Sequence, residues 1–154
     1  MARISDVTVK EQPEYHALTI RRTICFMSEF SDFADACFGK ILHYLERLGA
    51  LVSDGPIVCF HNMDLERLDV EVGFPVARAV EGNEEILAIR VPAQKVVTAI
   101  DQGAYEEQDP TLADLFSCIQ EQGYEPLGDI WYQYLNDTNR PADQYLTKMA
   151  VPIR

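Results

Sequence analysis

The chain has 154 residues, 47% hydrophobic and 25% charged, and its 13 basic against 25 acidic side chains give a net charge of −12. A chain of that length can bury roughly 70% of its unfolded surface, so one domain is expected without a disulfide or metal staple. Its negative field repels phosphate backbones and no basic stripe offsets it, which argues against direct nucleic-acid binding and favours cationic ligands.

In chain order, Met1-Ala2-Arg3-Ile4 opens no signal peptide. No apolar run reaches the roughly 18–20 residues of a membrane span, so a cytoplasmic protein without membrane contact is expected. Val7-Thr8-Val9 and His16 to Arg22 are β-prone, with Pro13 breaking between them. Ser31 offers an N-cap to a helix whose buried stripe is Ala34, Cys37, Phe38, Ile41, Leu42, Leu45 and Leu48, and Gly49 ends it. After the Ser53-Asp54-Gly55-Pro56 turn, Ile57 to His61 and Asp69 to Val76 predict two antiparallel strands. The polar stretch Val80-Glu81-Gly82-Asn83-Glu84 reads as the boundary between two halves.

The second half repeats this order. Ile86 to Val91 and Val96 to Ile100 are strands, and Asp109-Pro110 supplies an N-cap followed by proline at the first helical position. Leu112, Leu115, Phe116 and Ile119 form the buried stripe, Gly123 the stop, and Gly128 to Leu135 and Gln144 to Ile153 the closing strands. The acidic run Tyr105-Glu106-Glu107-Gln108-Asp109 reads as a solvated loop that favours the helix N-terminus after it.

The halves also echo residue by residue. Pro13 to Ile20 matches Pro92 to Ala99 at an offset of 79 residues, Phe60-His61-Asn62 matches Tyr134-Leu135-Asn136, and Val72 to Val76 matches Met149 to Ile153. The expected fold is therefore α+β: a duplicated β-α-β-β module, repeats about 5–79 and 84–154, within one domain spanning 1–154. A twisted antiparallel sheet carries both helices on one face, and a ligand cleft is expected at the pseudo-twofold seam. Val70, Val72 and Phe74 should face the helix, leaving Asp69, Glu71 and Gly73 on the open side, with Lys148 and Ala150 in the matching positions of the last strand. Ile130, Tyr132 and Tyr134 share one face of their strand, Trp131, Gln133 and Leu135 the other; alternation alone does not say which meets the helix.

Cys25, Cys37, Cys59 and Cys118 form no CxxC pair, and Cys59-Phe60-His61 has no second ligand pair to complete a zinc site, so neither metal nor cofactor is expected. His16, His43 and His61 form no constellation. No serine stands in a nucleophile elbow, and no glycine-rich phosphate loop occurs.

The proline-led strand, the Gly103-Ala104-Tyr105 turn, the glycine-ended helix, Tyr134-Leu135-Asn136-Asp137 and the terminal Val151-Pro152-Ile153 resemble a GyrI-like domain over nearly the whole chain. That family includes gyrase-inhibitory-protein homologues and effector-binding domains of AraC- and MerR-type regulators. The resemblance implies a seam cleft lined by aromatics that accepts flat, hydrophobic, often cationic compounds, with an acidic residue pairing the ligand's charge. Tyr132 stands where the family carries its glutamate, and Lys148 at a second acidic position. No helix-turn-helix precedes the domain, so a stand-alone binding protein is expected.

The ligand-binding candidates are then Tyr132 and Tyr134 as stacking rings, Trp131 as a second wall, and Tyr105 with its first-half mate Phe26. Phe60, mate of Tyr134, and Glu71, a mid-strand carboxylate that could replace the missing family acid, complete the set. The expected function is sequestration of bulky aromatic, hydrophobic compounds, cationic ones included. Two alternatives stand beside it: hydrolysis of cyclopropane-bearing natural products by Tyr132 or Tyr134 with Glu71, and a gyrase-inhibitor-like module that binds DNA gyrase through its acidic surface.

Overall fold

β-prone runs and two amphipathic stretches become, in chain order, β1 (Ala2–Arg3), β2 (Thr8–Gln12), β3 (Tyr15–Ile24), α1 (Phe26–Leu48), β4 (Ile57–Phe60), β5 (Leu68–Val76), β6 (Leu87–Val91), β7 (Gln94–Gln102), α2 (Asp109–Glu121), β8 (Ile130–Tyr134) and β9 (Leu146–Ile153). The structure, a computed structural model, describes residues 2–137 and 139–154, with Glu106 by its backbone alone. Met1 and the Glu106 side chain, which entered the readings of the N-terminus and the acidic run, lie outside the described residues. Among the described residues the strand pairs within each unit are antiparallel, and the fold is α+β.

Two compact units emerge: residues 14–92, and residues 1–13 with 93–154. They part at Pro13 and Pro92 rather than at Val80 to Glu84. In the first unit the strand order is β4-β5-β3-β6, because β6 pairs with β3 from Tyr15↔Val91 to Thr19↔Leu87. The 80–84 stretch is held to α1 by the Tyr44 hydroxyl, which donates to the carbonyls of Glu81 and Gly82. In the second unit β1 and β2 both pair with β7, followed by β9 and β8. The opening strand of each repeat thus pairs with the second strand of the other.

Helix α1 begins at Phe26, one and a half turns before the expected Ser31 cap. Glu29 Oε1 accepts from the Cys25 backbone N–H, and Phe26 and Phe30, one turn apart, both pack on Phe60, which anchors the first turns apolarly. The helix buries Ala34, Cys37, Ile41 and Leu45, packs Phe38 edge-on to Phe74, and ends at Gly49 with φ 66°. Leu42 and Leu48, expected in the stripe, are exposed.

Helix α2 starts one residue earlier than expected. A 3-10 turn at Tyr105–Glu107 runs into it, so Gln108 is already right-handed at the cap and Asp109 and Pro110 sit inside the first turn. Proline is tolerated there because a first-turn N–H has no helical partner. Leu115 and Ile119 join Val97, Ala99, Met149, Val151 and Ile153 in the core of this unit, with Leu112 and Phe116 packed at its margin.

Candidate functional site

Strand alternation settles which side chains each helix covers. In the first unit Val70, Val72 and Phe74 lie on the α1 side, as Phe38 against Phe74 demonstrates, and Glu71 lies on the other face opposite Arg21 and Cys59. In the second unit Tyr132 pairs with Met149 and packs on the α2 core, while Trp131 and Gln133 pair with Ala150 and Lys148 on the opposite face. The open alternative therefore resolves with Ile130, Tyr132 and Tyr134 toward α2.

Equivalent positions of the two repeats make equivalent ring contacts, each inside its own unit. Phe26, at the start of α1, stands 5.7 Å from Phe60 at the end of β4, edge to face, with Phe30 5.0 Å from Phe26. Tyr105, just before α2, stacks on Tyr134 at the end of β8 at 4.9 Å, and Tyr145 stacks on Tyr105 at 5.1 Å. These separations suit attractive ring pairs. All six rings are only partly buried. Each unit thus carries three rings at the N-terminal end of its helix, which a stretch of ordinary core would have enclosed. Tyr145 was not foreseen; it lies in the loop before β9, outside any repeat match.

Glu71 and Trp131 lie on the faces away from these clusters. Glu71 is 6% exposed. One of its oxygens accepts from the Thr19 hydroxyl, and the other lies 2.8 Å from His61 Nε2. Burial, the largest single influence, opposes its charge. The hydrogen bonds from His61 and Thr19, with the charges of His61 and Arg21, outweigh it and hold the carboxyl below the usual range. Arg21 makes a two-pronged contact to Asp69 at 2.9 and 2.7 Å, which lowers the Asp69 pKa. Tyr15, on the same face as Thr19, is pushed far above the ordinary phenol value by burial and then by Cys59, Asp54 and Glu71. His61 is therefore no isolated strand-end histidine. Its alternation with Cys59, two residues away in β4, put it on the Glu71 face and was the available signal.

A second buried carboxylate, Asp101 of β7, accepts from the Thr111 hydroxyl in the first turn of α2 at 2.6 Å. It was missed because a lone aspartate near a strand end resembles solvated edge. Among the described residues the four cysteines are free thiols. No helix among them is long and apolar enough to cross a membrane.

Each unit is thus an antiparallel α+β module with a ring cluster at the start of its helix. The chain belongs to the GyrI-like small molecule binding domain family, whose model it matches over residues 5–154. Among solved structures, the EcmrR C-terminal domain is similar at 17% identity and TM-score 0.86, covering 98% of both chains. In the EcmrR–DNA complex the likeness, at TM-score 0.84, covers 98% of this chain but 58% of the EcmrR chain. SAV2435, bound to tetraphenylphosphonium, is similar at 12% identity and TM-score 0.69 over 97% of this chain and 94% of its own. A hydrolase from Listeria innocua gives 12% identity and TM-score 0.70 over 97% and 92%. At these identities the likeness concerns the fold. No curated protein sequence matches the chain.

Proposed function

We propose that this protein captures bulky aromatic, hydrophobic compounds, cationic ones among them, and acts by sequestration. The observation that carries this is the pair of half-buried ring clusters, Phe26 with Phe60 and Tyr105 with Tyr134, at the N-terminal ends of the two helices. Stacking asks a ligand for flatness rather than a fixed hydrogen-bond pattern, so broad specificity follows. Apolar burial supplies most of the affinity, at about 25 cal/mol per Å². Tyr132 backs Tyr134 from the α2 core. In this reading Trp131 and Glu71, on the opposite faces of their strands, support the sheet beneath the clusters rather than touch the ligand, Glu71 through its bonds to Thr19 and His61.

The binding reading is preferred over hydrolysis on chemical grounds. A catalytic acid or base must reach the substrate, whereas Glu71 is 6% exposed with both oxygens engaged by Thr19 and His61. Gyrase binding through the acidic surface finds no specific support beyond the net charge.

Titration with a rhodamine-like dye tests the proposal. Saturable quenching or enhancement is expected, and Tyr134→Ala should weaken it at least severalfold. Equal affinity in that variant would remove the tyrosine cluster from the site.

A further inference from the structure

Behind Tyr134 the second unit holds buried polar atoms that no described residue satisfies. Asp101, Thr147 and Tyr134 are cross-strand neighbours on β7, β9 and β8, so the three side chains form one row on the α2 side. Asp101 is 1% exposed and Thr147 is 0%. The Thr111 hydroxyl accounts for Asp101 Oδ1, yet Asp101 Oδ2 and Thr147 Oγ1 are buried without a hydrogen-bond partner among the described residues. Gln108, the residue that caps α2, is 7% exposed, and its Nε2 is likewise unpartnered. Thr111 follows it by three residues, one turn along the same helix face, so Gln108 and Thr111 belong to the same side of the helix start. Buried polar groups left unpaired are uncommon and costly in folded proteins.

We propose that Asp101 and Thr147 form a specificity site for ligands that carry an N–H-bearing ammonium, a primary or secondary amine, as distinct from permanently alkylated cations. The assignment depends on the aromatic-capture function proposed above and states which cations that site selects. The chemistry follows from the inventory. A carboxylate oxygen accepts only, so the partner of Asp101 Oδ2 must donate a hydrogen, and the Thr147 oxygen can accept a second from the same group. A protonated amine offers two or three donors and a charge opposite to that of Asp101. The Gln108 amide, whose oxygen and nitrogen exchange places by a half-turn, can present its carbonyl to the same nitrogen. A quaternary ammonium or phosphonium offers charge without a donor and leaves both oxygens unsatisfied. Near-complete burial further demands a slim approach, which an unbranched aminoalkyl chain provides and a trimethylammonium head does not. The Tyr105–Tyr134 stack then takes the aromatic end of the ligand. Sites built around buried hydrogen-bonding groups discriminate strongly against analogues that cannot pair with them.

The test uses the full chain and three matched probes: 4-phenylbutylamine, its N,N,N-trimethyl derivative and 4-phenylbutan-1-ol, with affinities measured by calorimetry. The wild type should bind the amine at least tenfold tighter than the trimethylammonium compound, and tighter than the alcohol. Asp101→Asn should collapse that preference to about one, and Thr147→Val should reduce it severalfold. Equal wild-type affinity for amine and trimethylammonium overturns the inference, and this arm needs no variant to fold. If a crystal of the amine complex shows only a water bridging Asp101 and Thr147, with the amine elsewhere, the inference also fails. Failure of the aromatic reading looks different: Tyr134→Ala would then leave the affinities of all three probes unchanged, or none would bind, which removes both proposals.

Discussion

Replacing Glu71 by glutamine keeps the shape of a buried side chain and removes its charge. In the structure that charge is met by the Thr19 hydroxyl and by His61 Nε2 at 2.8 Å. Hydrogen bonds to a charged group contribute about 1.5–3 kcal/mol each, and neutral ones roughly 1 kcal/mol, so Glu71→Gln should cost about 2 kcal/mol at neutral pH. The pH dependence carries a definite sign. Because the folded pKa lies below the ordinary value of 4.5, ionised Glu71 stabilises the fold above that value, and its contribution is lost as pH falls through the lower folded value. Urea unfolding of wild type and variant, near pH 7 and again in acid below the folded pKa, is the assay. The deficit should be present at the first pH and close at the second. An equal deficit at both would mean that shape, not charge, holds this site together, and no deficit at pH 7 would refute the charged arrangement outright. His61→Ala, which leaves Glu71 buried with Thr19 alone, should cost about 3 kcal/mol. A double-mutant cycle with Glu71→Gln should show coupling.

Further outcomes follow from the packing. A methyl added at Gly73 would stand 2.0 Å from the Leu18 carbonyl oxygen, so Gly73→Ala should cost about 3 kcal/mol by forcing β3 from β5, read as a lowered Tm. Phe60→Ala removes the common partner of Phe26 and Phe30 and should cost about 3 kcal/mol while also weakening dye binding. Hydrogen bonds at Ser28 lower the Cys25 pKa, and burial raises that of Cys37, so native thiol labelling should reach Cys25 well before Cys37. Simultaneous labelling of the two would contradict these environments.

The repeat was legible because it is written in punctuation. Pro13 and Pro92, Gly49 and Gly123 interrupt the chain at corresponding places and bound the same elements twice. Strand faces were legible from alternation, which placed Glu71 away from α1. Pairing across the repeat was not legible. Nothing local in Thr8 to Gln12 tells it to pair with Val96 and its neighbours rather than with the strand that follows it, because that choice is made by pairing between residues 82 to 90 positions apart, from Gln12↔Gln94 to Thr8↔Thr98. Helix starts were misplaced for a related reason. Ser31 is a good cap by composition, but the Phe26 and Phe30 contacts to Phe60 extend the helix past it, and tertiary packing outweighs a cap of about 1 kcal/mol. In the candidate site, Tyr105 and Tyr134 emerged through the family resemblance, and Phe26 and Phe60 as their counterparts in the first repeat. Thr19, His61, Asp101 and Thr147 did not, since a polar residue on a strand looks the same in sequence whether it is solvated or buried against a partner.

The most direct measurement of small-compound capture is a crystal of the full chain soaked with a flat aromatic cation. The ligand rings are expected within about 4.5–7 Å, centroid to centroid, of Tyr105 or Tyr134, with the tyrosine stack opened or extended to receive them. A saturated soak that leaves the three tyrosines stacked on one another, with the ligand absent or on a remote surface, would contradict the account.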